Sequence, residues 1–117
     1  MYERKIKENL DCGINVTMRV LGAKWKACII DAIAKGHYRP SEIHRYIREA
    51  TPRVLDMQLS DLLELGVVQK EAGEGFPLCT EYHLTRLGES LLPIVRRLEA
   101  WGNVHMDELR ARLDAVA

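Results

Sequence analysis

The chain is poor in cysteine and aromatic residues, and it carries no net charge. Among its 117 residues are three cysteines and 6% aromatic side chains, and 17 Lys and Arg balance 17 Asp and Glu. No stretch approaches the ~20 consecutive apolar residues of a membrane span. The charged start MYERKIKENL lacks the apolar run of a signal peptide. We therefore expect a cytoplasmic protein, outside the membrane, whose thiols stay reduced.

The few potential metal ligands are also widely spaced. The cysteines at 12, 28 and 79 and the histidines at 37, 44, 83 and 105 form no closely spaced ligand pair. The sequence has no glycine-rich phosphate loop and no nucleophile–base set, and its few aromatic residues indicate no stacking platform for single strands. We predict no metal, no cofactor and no enzymatic activity.

The zero net charge conceals an asymmetry between two halves of the chain. Residues 1–53 carry eleven Lys and Arg against six Asp and Glu, and residues 54–117 carry six against eleven. The halves are therefore +5 and −5. The basic half could contact phosphate, or the two halves could attract each other or a second subunit. The length and the 47% apolar content favour a single domain over residues 1–117.

Apolar periodicity predicts four helices in the first half. Apolar residues at three- and four-residue steps mark residues 16–35, which Gly22 divides into a short helix and a longer one over about 24–35. A third helix is predicted for SEIHRYIREA, and a fourth for PRVLDMQLSDLLELG. Pro52 suits the first turn of that fourth helix, and Gly66 closes it.

The pattern then changes to two short strands and a final helical region. The segments VVQKEA and TEYHLT read as strands joined by the loop GEGFPLC. Thr85 is a good N-cap for the last region, in which Pro93 and Gly102 predict a kink or break. The expected fold is mainly α with a two-stranded β-hairpin (α+β). It is a winged helix-turn-helix, an architecture that binds nucleic acid more often than it catalyses reactions.

Several longer motifs carry a family resemblance: LGAKWKACIIDAIAKG, RPSEIHRYI, TPRVLDMQLSDLLELGVV and EYHLTRLGESLLPIVRRLEAWG. Together they resemble HxlR-type transcriptional regulators, winged relatives of the MarR group. The likeness spans residues 12–102 and leaves 103–117 as a C-terminal helical extension. It implies a homodimer that binds double-stranded DNA through the fourth helix and the wing and pairs through its first and last helices.

The fourth helix presents the main candidate contacts to DNA. At 100° per residue, a leucine stripe faces inward, and the residues opposite are Arg53, Met57, Ser60 and Glu64. Arg53 suits a guanine edge or a phosphate, Met57 a thymine methyl and Ser60 a hydrogen bond. The full set of predicted DNA contacts is Arg39, Ser41, Thr51, Arg53, Met57, Ser60 and Lys70.

Acidic residues on the same surfaces support an alternative. The fourth helix carries Asp56 and Asp61, and the wing carries Glu71 and Glu74. Acids in place of phosphate-binding cations weaken electrostatic binding to DNA. The alternative is a winged-helix module that binds another protein and has weak or lost DNA binding. A regulator with a small-molecule pocket at the dimer interface is a third hypothesis.

Cys12 has two open interpretations. Members of the resembled family commonly carry a cysteine ten residues before the position of Gly22, and in some of them the thiol senses oxidants or electrophiles. A helix start favours a thiolate, whereas Asp11 opposes it. The other interpretation is a small apolar side chain packed at a dimer interface. We expect Cys28 to lie in the core.

The last helical region supplies the predicted dimer interface. Its residues are Leu91, Val95, Leu98 and Trp101. The overall prediction is a homodimeric regulator that binds a pseudo-palindromic operator, one fourth helix per half-site. The spacing of the two helices would then match about one turn of DNA. A response to an oxidant or small electrophile at Cys12 is one of the two open interpretations of that thiol.

Overall fold

Six helices and one hairpin make up the described part of the chain. The computed structural model of the chain describes residues 10–73 and 79–116. The order confirms the predicted helical fold with a two-stranded wing. The elements are α1 (Gly13–Leu21), α2 (Lys26–Ala34), α3 (Pro40–Tyr46), α4 (Pro52–Glu64), β1 (Val68–Ala72), β2 (Thr80–Leu84), α5 (Arg86–Ser90) and α6 (Leu92–Val116).

The core forms where α2, α3 and α4 meet the base of the hairpin. Ile29, Ile30 and Leu62 are fully buried there, so the predicted apolar stripes face inward. The remaining core side chains are also apolar: Leu21, Ala32, Ile33, Ile43, Ile47, Leu55, Leu59, Val67, Val68 and Val95. This packing fixes α3 and α4 as a helix-turn-helix pair against the hairpin.

A glycine with positive φ follows each of two helices, α2 and α4. Gly36 follows α2 with φ of 99°, and Gly66 follows α4 with φ of 75°. Both values lie in the left-handed region, which glycine adopts without a Cβ penalty. The third helix ends at Tyr46, earlier than predicted, because Ile47 leaves helical geometry with ψ of 80°.

The wing is an antiparallel hairpin anchored at its base. Val68 pairs with Leu84 at one end of the ladder, and Ala72 pairs with Thr80 at the other. The Tyr82 amide donates to the Tyr38 carbonyl at 2.7 Å, which ties β2 to the segment before α3. Of the predicted loop 73–79, residues 74–78 lie outside the described residues.

The last helical region differs from its prediction. The Thr85 hydroxyl accepts a hydrogen bond from the Gly88 amide at 3.2 Å and so caps α5, as predicted. A separate helix, α6, then runs unbroken for 25 residues, or about 37 Å. Pro93 is its second residue, where no intrahelical amide bond is lost, and Gly102 continues the helix. The predicted interruption is therefore found just before Pro93, where Leu91 separates α5 from α6, and the helix is not broken at Gly102. No helix among the described residues is long and apolar enough to span a bilayer.

Candidate nucleic-acid interface

The outer face of α4 forms an exposed ridge. Arg53, Met57 and Ser60 are all exposed, and Met57 keeps 64% of its accessible surface. Leu55, Leu59 and Leu62 occupy the opposite, buried face. We call the three exposed residues the α4 ridge. The structure thus brings the predicted α4 contacts together on one surface.

The start of α4 is fixed by Thr51 and Pro52. The Thr51 hydroxyl accepts a hydrogen bond from the Val54 amide at 3.3 Å and caps the helix. Pro52 occupies the first helical position, where its missing amide costs nothing. Thr51 is exposed, but its hydroxyl is engaged in this cap. The cap fixes the first turn of α4, which contains Arg53.

The other predicted contacts lie on α3 and the wing. Ser41 is exposed on the first turn of α3. Arg39 directly precedes that helix, and its Nε lies 3.9 Å from Oε2 of Glu81 on β2. Lys70 is exposed on β1, with its Nζ 5.9 Å from the ring centroid of Tyr82. Arg39 therefore has its charge partly balanced by the wing.

Asp61 joins α4 to two preceding helices through charged hydrogen bonds. Arg19 of α1 donates to its carboxylate at 2.9 and 3.4 Å. Lys26 of α2 also donates to it, and Lys26 is only 4% exposed. The Arg19 hydrogen bond, together with Lys26, lowers the pKa of Asp61 from 3.8 to about 2. We name these three residues the Asp61 cluster.

This cluster corrects one expectation. Asp61 is among the acids that the sequence counts against DNA binding, but the two cations of the cluster, one of them the buried Lys26, balance its charge. Asp56, also on α4, has its Oδ1 2.7 Å from Nε2 of His44 on α3. The third acid of α4, Glu64, is exposed on the side of the helix that carries the α4 ridge. The pairing therefore reduces the acidity near the ridge at Asp61 but leaves Glu64 as an exposed acid.

A second cluster of charged side chains, centred on Asp31, links α6 to the helix-turn-helix. Asp31 of α2 accepts hydrogen bonds from Arg96 of α6 and from Tyr46 of α3, the latter at 3.3 Å. Lys35 lies 3.1 Å from the same carboxylate. Burial raises the pKa of Asp31, but the hydrogen bonds from Arg96 and Lys35 outweigh it, and the net pKa is lowered.

The cysteines occupy unlike environments. Cys12 is the N-cap residue of α1, half-buried, and its side chain makes no capping hydrogen bond. Cys28 was expected in the core but is exposed, in a shallow groove of about 300 Å³ between α2 and α6. Desolvation, followed by the charges of Asp31 and Glu49, raises the pKa of Cys28, which disfavours its reactive thiolate.

The predicted dimer residues divide into two groups. Leu98 and Trp101 are 51% and 60% exposed on α6. Leu91 is partly buried against the core. Val95 is only 4% exposed and packs in the core of its own chain, so its prediction as a dimer contact is wrong. The helical period places it on the α6 side that faces α2.

Comparison with known proteins assigns this architecture. A sequence model described as HxlR-like helix-turn-helix matches residues 20–110, which include α2 to α5 and most of α6. The chain belongs to the HxlR-like family. This confirms the resemblance, and HxlR-like relatives are transcriptional regulators with a helix-turn-helix DNA-binding fold.

Relatives and solved HxlR-like structures cover most of the chain. The HTH-type transcriptional regulator YkvN of Bacillus subtilis is 35% identical over 101 residues, which cover 86% of each chain. The redox regulator HypR in its reduced form has a TM-score of 0.76 at 33% identity, covering 86% of this chain and 99% of that one. Its oxidised form has a TM-score of 0.73 at 34% identity, covering 80% and 96%.

No group of three or more potential metal ligands occurs within residues 10–73 and 79–116.

The Asp61 cluster was not predicted from the sequence, although the position of Lys26 indicated it. Lys26 precedes Ile29, Ile30 and Ile33 by three, four and seven residues, which places it on the apolar face of α2.

Proposed function

We propose that the protein is a cytoplasmic homodimer that binds a pseudo-palindromic operator, with one α4 ridge in each half-site. The observation that carries this proposal is the exposed α4 ridge, on a helix in which two cations pair with Asp61 and His44 is hydrogen-bonded to Asp56. Glu64 is the remaining exposed acid of that helix. Arg53 offers a charged fork for a guanine edge or a phosphate, and Ser60 offers a hydroxyl. The other predicted contacts lie at the starts of α3 and α4 and on β1 of the wing.

Replacing Arg53 with Ala is expected to weaken operator binding by about 1–3 kcal/mol, or roughly five- to 150-fold. Arg53 is exposed, so its removal leaves the core of the chain intact. The measurement is a gel-shift titration against duplexes from upstream of its own gene, at two salt concentrations. Arg97→Ala removes an equal charge from the exposed surface of α6 and serves as the control.

Binding that is salt-sensitive and selective for one duplex supports the regulator. Equal weakening by Arg53→Ala and Arg97→Ala would argue against a direct contact by Arg53. If the native protein binds no duplex even at low salt, the protein-interaction module becomes the better account of the exposed wing.

We further propose that Cys12 makes operator binding responsive to an oxidant or small electrophile. The redox regulator HypR shares 33% identity and the fold with this chain. Cys12 stands at the start of α1, in the positive field of the helix N-terminus. A modified thiol there would alter the proposed contact between α1 and the second copy.

Treatment with diamide or N-ethylmaleimide is expected to change operator affinity at least about fivefold in the native protein, and Cys12→Ser should abolish the change. Cys28→Ser is the matched control, because the raised pKa of Cys28 disfavours its reactive thiolate. The gel shift gives the affinity, and mass spectrometry locates the adduct. A response that persists in Cys12→Ser, or is absent in the native protein, rejects Cys12 as the sensor.

A further inference from the structure

The helix that begins after Cys12 is held to the ridge-bearing helix by the Asp61 cluster. Arg19 lies in the last turn of α1, and both of its terminal nitrogens donate hydrogen bonds to the carboxylate of Asp61 on α4. Leu21 is the single buried residue of α1. Because so little of α1 is buried, the two-pronged bond from Arg19 is its main directional link to α4.

Lys26 of α2 is the third member of the Asp61 cluster. Its ammonium lies beneath α4, with the side chain only 6% exposed, and it donates to the same carboxylate. A buried cation needs a partner, so Lys26 holds Asp61 whatever α1 does. Arg19, 35% exposed, adds the constraint that sets α1 relative to α4. A guanidinium fork fixes direction as well as distance.

We propose that Asp61 is a positioning residue for operator binding, which fixes the orientation of the α4 ridge relative to α1 through Arg19 and Lys26. The proposal rests on the proposed function, in which α4 meets DNA and α1 meets the second copy. A shift of α1 at the dimer surface is then carried to the ridge through Arg19. Asp61 itself touches no base in this arrangement.

The test variant is Arg19→Gln, which breaks the link to α1 but keeps the Lys26–Asp61 pair and so keeps the chain folded. Arg97→Gln removes an equal charge from α6 and is the control. Arg19→Lys keeps the charge without the fork. Each variant is titrated with the operator duplex and with a scrambled duplex, and hydrogen exchange of the α4 amides is measured without DNA.

Arg19→Gln is expected to lose about tenfold in operator affinity, while its affinity for the scrambled duplex matches that of Arg97→Gln. Its α4 amides should exchange at least about fivefold faster, and those of α2 should not. Arg19→Lys should recover part of both effects. A defect in folding alone would reduce binding to both duplexes together.

Two results would overturn the proposal. One is unchanged exchange in α4 of Arg19→Gln, and the other is an equal loss on operator and scrambled DNA. If the native protein prefers no duplex, the proposed function fails, and the exchange of α4 still decides whether Arg19 and Asp61 position that helix.

Discussion

Replacing both Leu98 and Trp101 with glutamate is expected to leave a folded monomer that binds its operator at least about a hundredfold more weakly than the native protein. Both side chains are more than half exposed on α6, so the substitutions do not touch the core of the chain. In the proposed dimer they would place charges in an apolar contact, which is costly. In a dimer, binding of one copy to its half-site holds the second copy at a high effective concentration near the other half-site. A monomer loses this gain, which is worth about 10²–10⁴ in affinity.

Leu87→Glu provides the matched control for the pair on α6. Leu87 is 55% exposed, close to the 51% of Leu98, but it lies on α5. Its replacement should leave the protein dimeric. Sedimentation velocity measures the oligomeric state, and a gel shift on the same samples measures the operator affinity. A dimeric Leu98→Glu, Trp101→Glu protein would remove α6 from the interface.

The helix-turn-helix was predictable because its segments bury one regular stripe each. Leu55, Leu59 and Leu62 recur at helical spacing, and all three are buried as the period requires. Thr51 and Pro52 mark the start of α4, and Gly66 marks its end. These signals are local, so the sequence alone locates α4 and the exposure of Arg53.

The charged contacts were not predictable in the same way, because their partners are distant in sequence. Arg19 and Asp61 are 42 residues apart, and Lys26 and Asp61 are 35 apart. In the sequence, Asp61 is one of three acids on the helix that is predicted to meet DNA. The fold makes Asp61 the partner of two cations, which removes it from the acids that would weaken DNA binding, whereas Glu64 stays exposed on that helix.

Side-chain faces on α2 and α6 were the other source of error. Cys28 is flanked by Ala27 and Ile29, which suggested burial, but it points to the groove beside Leu98 instead of the core. Val95 lies on the α6 side that packs into the core. In an amphipathic helix that also carries a proposed dimer surface, apolar residues on both faces look alike in the sequence. Only tertiary packing separates them.

The Asp61 cluster also makes a prediction about stability. Asp61→Ala is expected to lower the free energy of unfolding by about 3 kcal/mol, because it leaves the buried Lys26 ammonium without its carboxylate. Adding Lys26→Met should restore most of the loss, since an apolar chain of similar size can fill the site. Lys26→Met alone should cost less than about 1 kcal/mol, because Arg19 still pairs with Asp61. Urea unfolding followed by circular dichroism measures all three variants.

The pH dependence of unfolding tests the same cluster independently. The pKa of Asp61 is lowered from 3.8 to about 2 in the folded chain, chiefly by the Arg19 hydrogen bond. A carboxyl with a depressed folded pKa contributes its full stabilisation above its unfolded pKa and loses it as the pH falls through the folded pKa. The native protein should therefore lose stability between about pH 4 and pH 2 more steeply than the Lys26→Met, Asp61→Ala protein. Identical slopes in that window would show that Asp61 is not held by these cations, and the positioning role assigned to it would fail as well.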